Sequence, residues 1–220
     1  MNPEDRRLLD EQVAYYRARA AEYAATSMPA GDPFANHART IRRSLRDLDL
    51  RGRVLEIAAG TGQWTELLAE RADELVVTDS APEMLEIVRS RLDGTPGIRF
   101  ELADAFTLEA SHAYDAAFFG FFLSHVPTGL LEAFWAVMDG VLAPGGRVVF
   151  VDEGRHFEWR EDWIEPNAGI VLRPLLDGSV HRAVKVHWDS AQLEARLADL
   201  GWDASVQSEG PLYWGVASRR

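Results

Sequence analysis

The chain has 220 residues, 23 Lys and Arg against 35 Asp and Glu, a formal charge of −12 and no cysteine. With 47% hydrophobic and 26% charged residues, it has the composition of one soluble α/β domain with an elaboration, not that of a disordered or fibrous chain. Disulfides, thiolate metal sites and cysteine nucleophiles are excluded, and the acidic balance opposes broad nucleic-acid binding.

Met1 to Glu11 carries acidic residues where a secretory signal needs an unbroken apolar stretch, which predicts a cytoplasmic protein. Asn2, Pro3, Glu4 and Asp5 read as a helix start: a capping amide, a proline where no N–H is needed, then acids at the positive helix end. Leu9, Val13, Tyr16, Ala20 and Tyr23 recur every three or four residues and share one face of that helix. Pro29, Gly31 and Pro33 break it, a second helix carries Ile41, Leu45 and Leu48, and Gly52 closes an N-terminal helical lid over residues 1–52.

From Arg53 short apolar runs alternate with amphipathic helices, the pattern of a doubly wound parallel sheet covered on both faces. Strands are expected at 54–57, 75–78, 98–102, 116–119 and 148–151. A helix starts near Gly62, another follows a capping box of Ser80 and Glu83, and a third carries Leu131, Phe134, Trp135 and Met138. The most apolar run, residues 116–123, is far shorter than the about 20 residues that span a bilayer, so no membrane span is expected. Residues 53–152 form this core, and 153–189 read as an insertion containing a hairpin turned at Asp177-Gly178. Over 190–220, a last helix capped by Asp189 or Ser190 and carrying Leu193, Leu197 and Leu200 precedes two terminal strands, all within one domain.

The stretch from Val54 to Gly62 places an acid, Glu56, near the end of a buried strand and small residues, Ala58, Ala59 and Gly60, at the turn into a helix. Small residues let the main chain pass close to a ligand, and a helix start presents unpaired N–H groups. In a doubly wound sheet this is the crevice where ligands bind. Asp79 ends strand two, 23 residues after Glu56, placed to accept ribose hydroxyls; Asp104 follows strand three, placed to accept from an adenine amino group.

In these residues, and in the turn Leu142-Ala143-Pro144-Gly145-Gly146, the chain resembles the class I S-adenosylmethionine-dependent methyltransferase family over most of Arg53 to Asp152. Ala58 stands where the family often has glycine. The resemblance implies a seven-stranded sheet with an antiparallel last strand and N-terminal helices closing over the cofactor, S-adenosylmethionine, which leaves as S-adenosylhomocysteine. It implies cofactor contacts by Tyr16, Arg19, Glu56, Ala58, Ala59, Gly60, Asp79, Ser80, Met84, Asp104, Ala105 and Phe119. Tyr16 and Tyr23 equally fit plain packing of the helical stripe. A nicotinamide-dinucleotide site is the weaker match, because the sixth position of G-x-G-x-x-G is Thr65.

Methyl transfer is an in-line displacement that needs alignment, exclusion of water and, for a hydroxyl acceptor, removal of a proton. The segment Phe118 to His125 is expected beside the transferred methyl. It lacks the Asn/Asp-Pro-Pro-aromatic signature of amino-methylating members and the carboxylate cluster of magnesium-dependent ones, so the enzyme is expected to need no metal. His125 is the candidate catalytic base, or else bonds backbone at a helix start; His37, His156, His181 and His187 stand behind it. Phe157, Trp159, Trp163, His181 and Trp188 either face the crevice or cover the sheet edge. Arg155, Arg160, Arg173 and Lys185 read as solvated charges.

The expected function is methyl transfer to oxygen of a small aromatic or apolar acceptor by a monomer or homodimer that binds neither nucleic acid nor membrane. The rivals are methylation of a protein or other amine, and a regulatory protein that binds the cofactor without turnover.

Overall fold

The computed structural model describes residues 3–27, 34–155 and 161–220. Asn2, the break at Pro29, Gly31 and Pro33, and His156, Phe157, Trp159 and Arg160 lie outside the described residues.

The apolar runs of the core fold as β1 (Arg53–Ile57), β2 (Glu74–Asp79), β3 (Ile98–Leu102), β4 (Tyr114–Gly120) and β5 (Leu142–Glu153). They pair in parallel in the order β3-β2-β1-β4-β5. The sheet is completed by β10 (Leu212–Arg219), antiparallel to β5, and by β9 (Trp202–Glu209) at the edge, giving seven strands. Successive side chains on a strand point to opposite faces, and both faces are buried here. Leu55, Ile57, Phe119 and Phe150 pack on one side against α5 (Leu131–Val141) and α6 (Ser190–Asp199). Val54, Val77, Phe118 and Val149 pack on the other against α2 (Phe34–Arg46), α3 (Thr65–Ala69) and α4 (Pro82–Leu92).

Two local expectations need correction. The helix expected from near Gly62 starts at Thr65, because Gly62 holds φ +81°, outside helical backbone. The capping box at Ser80 and Glu83 does not form: Ala81 is the N-cap of α4 and Pro82 sets the first turn. The Ala81 N–H donates instead to Asp79 Oδ1 at 2.8 Å, and Glu83 bonds Arg17 of α1 (Pro3–Ser27). Asp189 caps α6 by accepting from the N–H groups of Ala191 and Gln192.

After β5 the chain forms a second, three-stranded sheet. β7 (Ile170–Pro174) and β8 (Val180–Val184) pair antiparallel around a turn where Gly178 has φ +85°. β6 (Asp162–Glu165) pairs with β7, a strand too short to give an alternation readable in the sequence. This sheet and α1 meet through Tyr15, Val171, Leu175 and Ala183. Among the described residues no helix is long and apolar enough to cross a membrane.

A Cβ at Gly62 would lie 2.4 Å from Val88 Cγ2 on a backbone that L side chains rarely adopt. Gly62→Ala is expected to cost about 1–3 kcal/mol, lowering the thermal midpoint by about 2–4 °C for each kcal/mol. An unchanged midpoint in calorimetry would mean that α4 is not held against this turn.

Candidate functional site

The carboxyl ends of β1, β2, β3 and β4 open into one cleft, roofed by α1, that encloses about 1010 Å³ with its mouth open to solvent. Its floor begins at the turn after β1. Ala58 has φ +52° and Gly60 φ +56°, and the Ala59 N–H donates to Thr78 O of β2 at 3.0 Å. Left-handed backbone at an alanine costs about 1–2 kcal/mol, so the hydrogen-bonded surroundings must hold it there. A Cβ built on Gly60 would meet nothing within 4 Å, so this turn presents bare main chain to the cleft.

Asp79 fastens that turn to the next one. Its Oδ2 accepts from the Gly60 N–H and its Oδ1 from the Ala81 N–H, both at 2.8 Å. Burial pushes its carboxyl up, against the pull of the Ala81, Gly60 and Ser80 N–H groups. Each oxygen keeps a lone pair for a hydroxyl donor. Asp104 accepts from its own turn, the Phe106 N–H at 2.9 Å, and from Arg6 of α1 at 3.1 Å. Glu56 lies beneath the floor, 1% exposed, and its Oε2 has no hydrogen-bond partner. Burial pushes this carboxyl up to about 8; Asp79 adds to the rise, while Thr65 and Arg42 oppose it.

The helical stripe of α1 makes the roof: Leu9, Val13, Tyr16 and Tyr23 line the cleft, and Ala20 packs on Ala81 and Met84. The 3₁₀ turn Leu123–His125 after β4 meets this roof. His125 Nδ1 lies 2.7 Å from Val184 O, which only accepts, so Nδ1 carries the proton. Nε2 is then the acceptor for the Tyr16 hydroxyl at 2.8 Å. Burial holds the imidazole well below its ordinary pKa; Lys185, Arg173 and Arg19 push the same way, against the Val184 bond.

Ten of the residues singled out in the sequence border this one cleft: Tyr16, Ala58, Ala59, Gly60, Asp79, Ser80, Met84, Asp104, Ala105 and His125. Three do not. Arg19 stacks over the Tyr23 ring, Glu56 sits below the floor, and Phe119 stacks on Phe150 inside the core. Phe119 turns inward because it alternates on β4 with Phe118; Phe121, where the chain leaves the strand with φ +57°, reaches the cleft instead. Sequence reasoning also missed Arg6, Trp64 and Gln12, although Gln12 is a polar residue one turn from both Leu9 and Tyr16 on the apolar stripe.

The remaining histidines are dispersed. His37 bonds Glu209, His181 bonds Ser179, and His187 packs beside Trp163, held at about 4 by burial and by Lys185. Trp163 and Trp188 pack within the insertion and against the core. Arg173 pairs with Glu161, and buried Lys185 donates to Glu153 at 2.8 Å and to Ser124 at 3.1 Å, so neither is the solvated charge expected. Arg155 bonds Gln192 at the surface.

Comparison with known proteins gives concordant matches. Residues 54–146 match the family described as a methyltransferase domain. DhpI in complex with SAH has a TM-score of 0.83 and 36% identity, over 96% of this chain and 97% of that one. DhpI in a complex with SAM and HEP matches at 38% identity and the same TM-score of 0.83, with the same coverage of 96% and 97%. The demethylmenaquinone methyltransferase of Deinococcus radiodurans is 38% identical over 107 residues, 46% of this chain and 42% of that protein. The chain thus spans about two fifths of that curated relative, 42% of its length.

Glu56 gives the site a pH signature. The carboxyl sits at about 8 when folded against 4.5 as its ordinary value. Between these values the folded chain keeps a proton that the unfolded chain has released, so stability falls as pH rises through this window and is lost in full above it. Glu56→Gln is expected to match the parent in thermal midpoint near about pH 5 and to exceed it near about pH 9, without added ligand. An equal difference at both ends would refute the raised carboxyl.

Proposed function

The chain belongs to the class I S-adenosylmethionine-dependent methyltransferase family, and we propose that it transfers a methyl group from this cofactor to oxygen of a small organic acceptor. The acceptor oxygen, in this reading, is already ionised near neutral pH. When bound, the cofactor supplies an electrophilic methyl group on a sulfonium. The residues present fit it. The turn at Gly60 presents bare main chain to the cleft, and Asp79 holds accepting lone pairs at the floor. Asp79 is assigned to the ribose hydroxyls, Asp104 and the neighbouring Ala105 to the adenine side, and Tyr16 to the methionine side.

The single observation that carries the acceptor assignment is the state of His125. Its Nδ1 proton is committed to Val184 O and its Nε2 to the Tyr16 hydroxyl, in surroundings that disfavour a second proton. Such an imidazole is a poor general base, because an effective base has a pKa near the working pH and a free lone pair. Taking a proton by way of Tyr16 is disfavoured as well, since burial raises that hydroxyl well above its ordinary pKa. An oxyanion needs no base. Arg19, Arg173 and Lys185 act on His125 from outside the cleft, the last two paired with Glu161 and Glu153. The chain then contributes alignment and a wall of Leu9, Val13, Phe121 and Phe122 that excludes water. Support for this class over an apolar acceptor also comes from Trp163 and Trp188, which pack internally. DhpI, 38% identical, forms a complex with SAM and HEP, so HEP is the first compound to try.

Saturating S-adenosylmethionine or S-adenosylhomocysteine, at 100 times Kd, is expected to add about 2.7 kcal/mol and raise the melting midpoint by about 5–10 °C, with NAD inert. Asp79→Ala is expected to abolish the shift; a retained shift would remove Asp79 from the site. S-adenosylhomocysteine release is expected with small carboxylates and not with neutral phenols, at a rate flat in pH between about 6 and 9. Turnover confined to neutral phenols and rising with pH would restore His125 as a base.

A further inference from the structure

We propose that Gln12 is a positioning residue for methyl transfer: its buried side-chain amide fixes the Tyr16–His125 hydrogen bond over the cleft. The inference rests on the functional reading above, in which Tyr16 and His125 border the reacting centre. Gln12 is 6% exposed and lies one helical turn before Tyr16 on the same face of α1. Its Nε2 donates to His125 O at 3.0 Å, and its Oε1 accepts from the Val184 N–H at 3.0 Å. The His125 ring donates from Nδ1 to Val184 O at 2.7 Å.

Three hydrogen bonds therefore link Gln12, His125 and Val184 in a ring that closes through the covalent frames of His125 and Val184. The Tyr16 hydroxyl adds a fourth bond, to the remaining imidazole nitrogen. The amide adds a bridge between two segments that also meet directly, through Val186 N–H to Ser124 O at 2.7 Å and Lys185 Nζ to Ser124 Oγ at 3.1 Å. Its orientation is forced, because Val184 offers a donor and His125 a carbonyl. Leucine at this place leaves both backbone groups buried and unpaired. Glutamate keeps the Val184 bond but, as a carboxylate, has no proton for the His125 carbonyl.

The test is a double-mutant cycle of Q12L and Y16F read by calorimetric Kd for S-adenosylmethionine, together with ¹⁵N spectra of the His125 imidazole. Each single variant is expected to weaken binding by about five- to tenfold, and the double variant by no more than the worse single one. The wild-type spectrum is expected to show one neutral tautomer with the proton on Nδ1, and Q12L a mixture. Effects that multiply in the cycle, or a Q12L protein with wild-type Kd and wild-type tautomer, would overturn the proposal. Should Q12L fail to fold, Q12E, of the same size, runs the same cycle and the same spectra. A wild-type protein with no affinity for S-adenosylmethionine would overturn the functional reading instead, and the imidazole spectra of wild type and variant would still decide Gln12.

Discussion

One carboxylate, Asp79, joins the two turns on which the cleft is built. β1 and β2 are parallel neighbours, so both leave the sheet at the same edge, and each turn there has main-chain N–H groups with no strand to accept them. By accepting from Gly60 and from Ala81, Asp79 satisfies one group in each turn and sets the distance between them. The left-handed backbone at Ala58 and the glycine demanded by Val88 at position 62 are tolerable only because the turn is pinned in this way. A carboxyl at this place is thus a structural need of the fold.

The roof is held on differently. Arg6 to Asp104 and Arg17 to Glu83 are pairs between half-exposed side chains, screened by solvent. The Gln12 amide and the Tyr16 hydroxyl are bonded in a buried site, where a lost partner strands a polar group. The hold of α1 is therefore concentrated in its middle, over the place where Tyr16 and His125 meet.

Buried charge shapes the chemistry beyond that point. Lys185 bonds Glu153 and Ser124, and the Ser124 N–H donates to Asp152, which is fully buried. This network ties the end of β5 to the insertion and to the turn bearing His125. Burial is the main reason that the imidazole resists protonation, and the Lys185 cation of this network pushes the same way. The proposed catalysis by alignment, on an acceptor that brings its own charge, rests on that arrangement.

The sequence by itself determined the sheet and the floor of the cleft. Continuous apolar strands such as Val54 to Ile57 bury both faces, and an acid followed by Ala58, Ala59 and Gly60 marks a turn with bare main chain; both signals act within a few residues. The same local logic failed where a neighbour in space competed. Asp79 rather than Ser80 serves the start of α4, Phe121 rather than Phe119 reaches the cleft, and β6 is too short to carry a period. The partnership of Tyr16 with His125 spans 109 residues and that of Gln12 with His125 spans 113. No helical or strand period reaches so far, so only tertiary packing, by bringing α1, the turn after β4 and β8 together, decided which hydrogen-bonding groups meet at the roof and that His125 stays neutral.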